Sequence, residues 1–134
     1  MPLPRPPLTC RMLSPAEFLA LSPSAEAFPT FMKDFRHGPN TQVFCAFAGE
    51  ELVGITKLTV LASNTNIEFL ETSASSRNRG VAKEMMRQLF EHAEQNGAAL
   101  TNQGFTGDGQ DYLLRELAKL ESEFPGRFHH VSSM

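Results

Sequence analysis

Cysteine is scarce in this 134-residue chain: Cys10 and Cys45 are the only two, and they have no CxxC spacing. That argues against a disulfide-stapled or zinc-ribbon fold and makes a reduced, cytoplasmic setting the expectation. Long apolar runs are missing as well. No stretch approaches the roughly 20 residues of a membrane-spanning helix, so no membrane partner is expected. The opening Met1-Pro2-Leu3-Pro4-Arg5-Pro6-Pro7 lacks the apolar centre of a signal peptide. Nor is there an excess of positive charge. Twelve Lys and Arg against 15 Asp and Glu leave a net charge of -3, which disfavours a protein that coats nucleic acid. Metal and hydrolase motifs are also absent. No third ligand is suitably spaced with His92 or with His129-His130, there is no Gly-x-Ser-x-Gly elbow, and Gly107-Asp108-Gly109 is too short and too poor in carboxylates for a calcium loop.

What remains is ordinary for one globular domain: 41% hydrophobic and 20% charged residues, with 9 Gly and 9 Pro, enough apolar material for a single core. Residues 1–7 read as a flexible proline-rich arm and 8–134 as the domain. Leu8 to Met12 is a short first strand. Ser14-Pro15-Ala16-Glu17 carries a capping box with proline in the first turn, so a helix starts there. Ser22-Pro23 and Phe28-Pro29 break the helical region from 15 to 36, and Gly38-Pro39 ends it. Strands over 43–48, 52–61 and 67–72, joined by turns at Gly49-Glu50-Glu51 and Asn64-Thr65-Asn66, make an antiparallel meander.

After a polar loop the period changes from two to 3.6. Ala82, Met85, Met86, Leu89, Phe90 and Ala93 form one apolar stripe, and Gly97 stops the helix. A strand over 98–105, a second amphipathic helix over 110–123 and a last strand over 128–131 complete the chain. The class is α/β (α+β): a mixed, mostly antiparallel six-stranded sheet with helices on both faces. The open sheet edge makes a homodimer a candidate arrangement.

The chemistry concentrates at Arg77-Asn78-Arg79-Gly80-Val81-Ala82, between a strand and a helix. Unpaired N–H groups and the macrodipole make a helix start an anion site, and glycine lets a ligand approach the backbone. Arg77, Arg79, Lys83 and Arg87 gather positive charge there despite the acidic total. The stretch resembles the acyl-CoA signature Gln/Arg-x-x-Gly-x-Gly/Ala of the GNAT superfamily of N-acetyltransferases. The order of strands and helices around it, over residues 8 to 131, is similar to that family's.

The resemblance implies a GNAT-like fold and transfer of an acetyl group from acetyl-CoA to a primary amine of a small molecule or protein, by direct attack in a ternary complex. Backbone N–H groups from Asn78 to Ala82, through Arg79, Gly80 and Val81, would hold the pyrophosphate, with Arg77 and Arg79 adding charge. Leu70 and Thr72 fall where family members pair main-chain groups with the pantetheine arm, and Glu71 lies between them. The Thr72 amide would polarise the thioester carbonyl. The attacking amine needs a base. Glu68 shares the parity of a base glutamate found in some members, two residues further along the strand. Glu71, of opposite parity, is expected on the other face of the sheet, and a water is the third option. Tyr112, the sole tyrosine, stands where members often carry the acid that protonates the leaving thiolate, although the usual Asn-x-x-Ala…Tyr pattern is replaced by residues 104–109.

Simpler readings stay open: salt-bridged strand carboxylates for Glu68 and Glu71, and a packing role for Tyr112. A non-catalytic acyl-CoA-binding or interaction module on the same fold is the alternative function. The acceptor would be selected by the broken helices from 15 to 36 and by the 61–66 turn.

Overall fold

The first helix begins where its cap does. The Ser14 N–H donates to Glu17 Oε1 at 3.0 Å and the Glu17 N–H donates to Ser14 Oγ at 3.1 Å, so both orphan groups of the turn are satisfied. Accepting first from the Ser14 backbone and then from its hydroxyl holds the Glu17 carboxyl below the usual carboxylate range. The computed structural model describes residues 7–33, 35–76, 80–102 and 110–130, and the side chains of all of these but 102, 110–114 and 129–130. Within them the elements run β1 (Leu8–Leu13), α1 (Pro15–Ala20), α2 (Pro29–Lys33), β2 (Thr41–Ala48), β3 (Glu51–Leu61), β4 (Asn64–Thr72), α3 (Val81–Gln95), β5 (Ala99–Asn102), α4 (Gln110–Glu123) and β6 (Phe128–His130), with a single 3₁₀ turn over Ala74–Ser76. The helical region from 15 to 36 is broken into two short helices, as the prolines require.

The six strands pair in chain order, β1-β2-β3-β4-β5-β6. The first four are antiparallel, and β5 and β6 add in parallel. Parallel neighbours need a crossover, and α3 and α4 supply the two. On one face α3 buries Met85, Met86, Leu89, Phe90 and Ala93 of the expected stripe, with Val81 in place of Ala82, against Phe44, Leu58, Ile67 and Leu100, while α4 adds Leu117 and Leu120. On the other face α1 and α2 cover an aromatic core of Phe18, Phe28, Phe31 and Phe47 with Val43, Cys45 and Ile55. Cys10 and Cys45 are both free, and burial pushes each thiol up to about 12. No helix among the described residues is long and apolar enough to cross a membrane.

Two expectations about the meander need correction. The turn between β3 and β4 is Ala62-Ser63, with Ala62 at φ 47°, and Asn64, Thr65 and Asn66 are strand residues paired with Leu61, Val60 and Thr59. Their polarity suggested a turn, but the sheet itself satisfies it. Asn64 Nδ2 donates to Thr101 Oγ1 at 3.4 Å, and that hydroxyl donates to Asn66 Oδ1 at 3.2 Å.

The second correction concerns parity. Lys57 pairs with Phe69 and Leu58 with Ile67, so Glu68 is the extra residue of a β-bulge in β4. Ile67 and Leu70 face α3. Phe69 packs on the α2 side, and Glu68 lines a cleft there with Thr30 and Phe31. Glu71 bonds to the backbone of those same two residues. Glu68 and Glu71 therefore share a face, because one inserted residue reverses the alternation between them.

Candidate active site

Two structural features converge at the C-terminal half of β4. The first is a strand edge that pairs with no described residue beyond Ile67. The described pairing of β4 with β5 runs from Asn64–Ala99 to Ile67–Asn102 and ends there, whereas the pairing with β3 continues to Thr72–Gly54. The Ser73 N–H donates to the Val53 carbonyl at 2.8 Å, toward β3. Successive N–H groups along a strand alternate in direction, so Leu70 and Thr72 turn theirs to the opposite edge, away from β3.

The second feature is the start of α3, which lies directly on the end of the β3–β4 ladder. Gly54, the partner of Thr72, makes that approach possible. A Cβ placed there would meet Met85 Sδ at 3.0 Å and Val81 Cγ1 at 3.1 Å. Gly80 caps α3 with φ 76° and no side-chain hydrogen bond. The first backbone donor returned into the helix is the Glu84 N–H, to the Gly80 carbonyl at 3.1 Å. Helix geometry thus leaves the N–H groups of Val81, Ala82 and Lys83 pointing out of the N-terminus, where the macrodipole is positive. Arg77, Asn78 and Arg79 of the signature lie outside the described residues, as does the side chain of Tyr112, whose backbone is in the first turn of α4.

The carboxylates of β4 have different surroundings. Glu71 is buried and accepts from the N–H groups of Thr30 at 3.3 Å and Phe31 at 2.8 Å, capping α2 from across the fold. Glu68 is exposed and lies 3.8 Å from Lys57 Nζ. The bulge brings Glu68 to the rim of a two-lobed groove. One lobe, ≈ 290 Å³, is lined by Thr30, Phe31, Phe35 and Phe69; the other, ≈ 330 Å³, includes Arg36, His37, Thr41 and Thr59. Lys57 and Glu68 line both. None of residues 61–66 does, because that turn is at the far end of β4; Ala62 and Thr65 line a separate cleft beside His92. Of the two segments expected to select an acceptor, only the broken helices border Glu68.

Sequence reasoning missed Lys57, Phe31, Phe35 and Phe69. A signal for the first was the single charge inside the apolar strand 52–61. For the aromatics it was the helical spacing of Phe28, Phe31 and Phe35. Among the described residues no group of three or more His, Cys, Asp or Glu is placed to hold a metal ion.

Residues 10–105 match the model of the acetyltransferase (GNAT) family. The chain belongs to the GNAT acetyltransferase family. Solved structures agree at the level of fold. An acetyltransferase from Bacillus subtilis in complex with CoA is 19% identical over 85% of this chain and 75% of its own, with a TM-score of 0.61. The ribosomal-protein-S18-alanine N-acetyltransferase from Escherichia coli is 14% identical over 84% and 76%, with the same TM-score of 0.61. An aminoglycoside acetyltransferase from an uncultured soil metagenomic sample is 15% identical over 95% of both chains, at 0.58. No curated protein matches the chain. The six-stranded, mostly antiparallel sheet flanked by helices is the family's architecture, as the sequence implied.

Proposed function

We propose that this GNAT protein is an N-acetyltransferase that transfers the acetyl group of acetyl-CoA to a primary amine by direct attack in a ternary complex. The observation that carries the reading is the outward edge of Leu70 and Thr72 beside the start of α3, where Gly80 brings no side-chain hydrogen bond. A pantetheine arm can add to that edge as a strand adds to a sheet, while amides from Asn78 to Ala82 take the pyrophosphate and Arg77 and Arg79 supply charge. Glu71 lies in the same run, but its carboxylate is engaged by α2 and its main-chain groups, in step with those of Ser73, face β3, so it only spaces the two outward residues. The thioester carbonyl then meets the Thr72 amide, an oxyanion donor whose direction the sheet fixes beforehand.

Glu68 is the base in this reading, since it borders the groove through which an amine arrives. Tyr112, at the start of α4, is the acid for the departing thiolate. The N–C bond forms as C–S breaks. One proton leaves the ammonium to Glu68 before attack, and a second leaves the nitrogen afterwards as the thiolate is protonated.

Calorimetry of acetyl-CoA with the wild-type protein, Gly80→Gln and Arg79→Glu tests the cofactor site. Binding by the wild type and at least tenfold weakening in both variants is the expected result; equal or absent binding in all three overturns the assignment. The rival, a non-catalytic acyl-CoA module, draws on the Lys57–Glu68 ion pair, which engages the base. Thiol release with a panel of primary amines separates the two.

A further inference from the structure

We infer that the acceptor is an α-amino acid with a large apolar side chain, bound as a zwitterion across Lys57 and Glu68. The inference rests on the acetyl-transfer reading and adds to it the identity of the amine's surroundings. Lys57 and Glu68 are 22% and 37% exposed and 3.8 Å apart, well beyond the roughly 2.7–2.9 Å of a close charge-assisted bond. A loose pair of this kind is readily parted by a molecule presenting the reverse charges at similar separation. The ammonium and carboxylate borne on one α-carbon do so: the amine meets Glu68 and the carboxylate meets Lys57.

The groove continues on both sides of that pair in keeping with such a ligand. On the α2 side its wall is aromatic, with Phe31 and Phe35 stacked at 5.0 Å and Phe69 tilted against Phe31 at 5.7 Å. An apolar side chain buried there gains about 25 cal/mol per Å² removed from water. On the other side Thr41 and Thr59 line the second lobe with Lys57, polar surroundings for the carboxylate. Each lobe, at ≈ 290 and ≈ 330 Å³, is near the lower end of the range of about 300–1,000 Å³ for ligand pockets, which suits one amino acid.

Charge argues in the same direction. The charged residues that line both lobes are Lys57 and Glu68, one of each sign. A zwitterion matches that pair charge for charge, whereas a polycation such as an aminoglycoside or a polyamine leaves Lys57 facing like charge. In the reaction the amino acid's nitrogen takes the acetyl group and becomes an amide, the carboxylate stays on Lys57, and CoA leaves as the thiol.

The test is thiol release at saturating acetyl-CoA with L-phenylalanine, L-alanine, 2-phenylethylamine and spermidine, with acetyl-CoA binding measured on the same protein. The expected kcat/KM for L-phenylalanine is at least tenfold above each of the others. Lys57→Gln should bring the ratio of L-phenylalanine to 2-phenylethylamine toward one, mainly through KM. Phe35→Ala, a second probe on a half-buried side chain, should bring the ratio of L-phenylalanine to L-alanine down. A protein that binds acetyl-CoA but prefers spermidine, 2-phenylethylamine or L-alanine, or acetylates none of the four, overturns the inference. A protein that does not bind acetyl-CoA overturns the underlying reading and this one with it.

Discussion

The two halves of β4 are built from one continuous strand and meet different fates. Asn64–Ile67 is flanked by β3 on one side and β5 on the other, and its polar side chains are bonded across to Thr101. Glu68–Thr72 is held by β3 alone among the described residues, and the bulge at Glu68 separates the two. The first half is a structural ladder; in the second the main-chain groups of Leu70 and Thr72 meet no described strand, and Glu68 borders a groove. One inserted residue thus divides a stretch paired on both sides from one whose carboxylates turn to the α2 face.

The comparison can be broken first at its chemical end. Glu68→Gln should lower kcat for acetyl transfer by about 10²–10⁴-fold, the usual contribution of a positioned base, with the folded state little changed. Thiol-release kinetics alongside a thermal melt would check both parts. Next in size is the structural half. Ile67→Ala removes a side chain 1% exposed in the α3 core and should cost about 2–5 kcal/mol in denaturant unfolding. Leu70→Ala, half-buried past the bulge, should cost about half as much, because less apolar area is withdrawn from water there.

Glu71→Ala leaves the N–H groups of Thr30 and Phe31 without their carboxylate. We expect a loss of about 2–3 kcal/mol together with a raised KM for the amine, since α2 forms the groove wall. Thr101→Val removes the hydroxyl that links Asn64 and Asn66 and should cost about 1 kcal/mol, with acetyl-CoA binding unaffected. The smallest effect belongs to Ser73, immediately after β4. Its hydroxyl is buried with no partner among the described residues, so Ser73→Ala should hold stability or raise it by up to about 1 kcal/mol, read as a shift in melting temperature.

How much of this is legible in the chain follows from how local each cause is. The cap at Ser14, the apolar stripe from Met85 to Ala93 and the glycine ahead of α3 act within a few residues, and each is where the pattern put it; at the first turn Val81, not Ala82, is the buried residue. The parallel addition of β5 and β6 followed from the alternation of strands and helices. Asn64-Thr65-Asn66 misled because turn composition and a polar sheet edge share the same residues. What distinguishes them is Thr101, more than thirty positions away in sequence. Glu68 and Glu71 misled for a related reason. Counting by twos is valid along an unbroken ladder, and the extra residue at 68 is visible only when β3 is laid beside it.

The amino-acid sequence by itself determined the order of elements, the helix start at Gly80 with its gathered arginines, and the family to which the chain belongs. These rest on periodicity, capping and motif spacing, all interactions of near neighbours. Only the tertiary structure decided that Glu71 caps α2, that Glu68 sits beside Lys57 at a groove walled by Phe31, Phe35 and Phe69, and that Leu70 and Thr72 turn their amides outward. Those outcomes depend on register between strands and on contacts between distant segments, which are set when the sheet assembles and have no signature within any one segment.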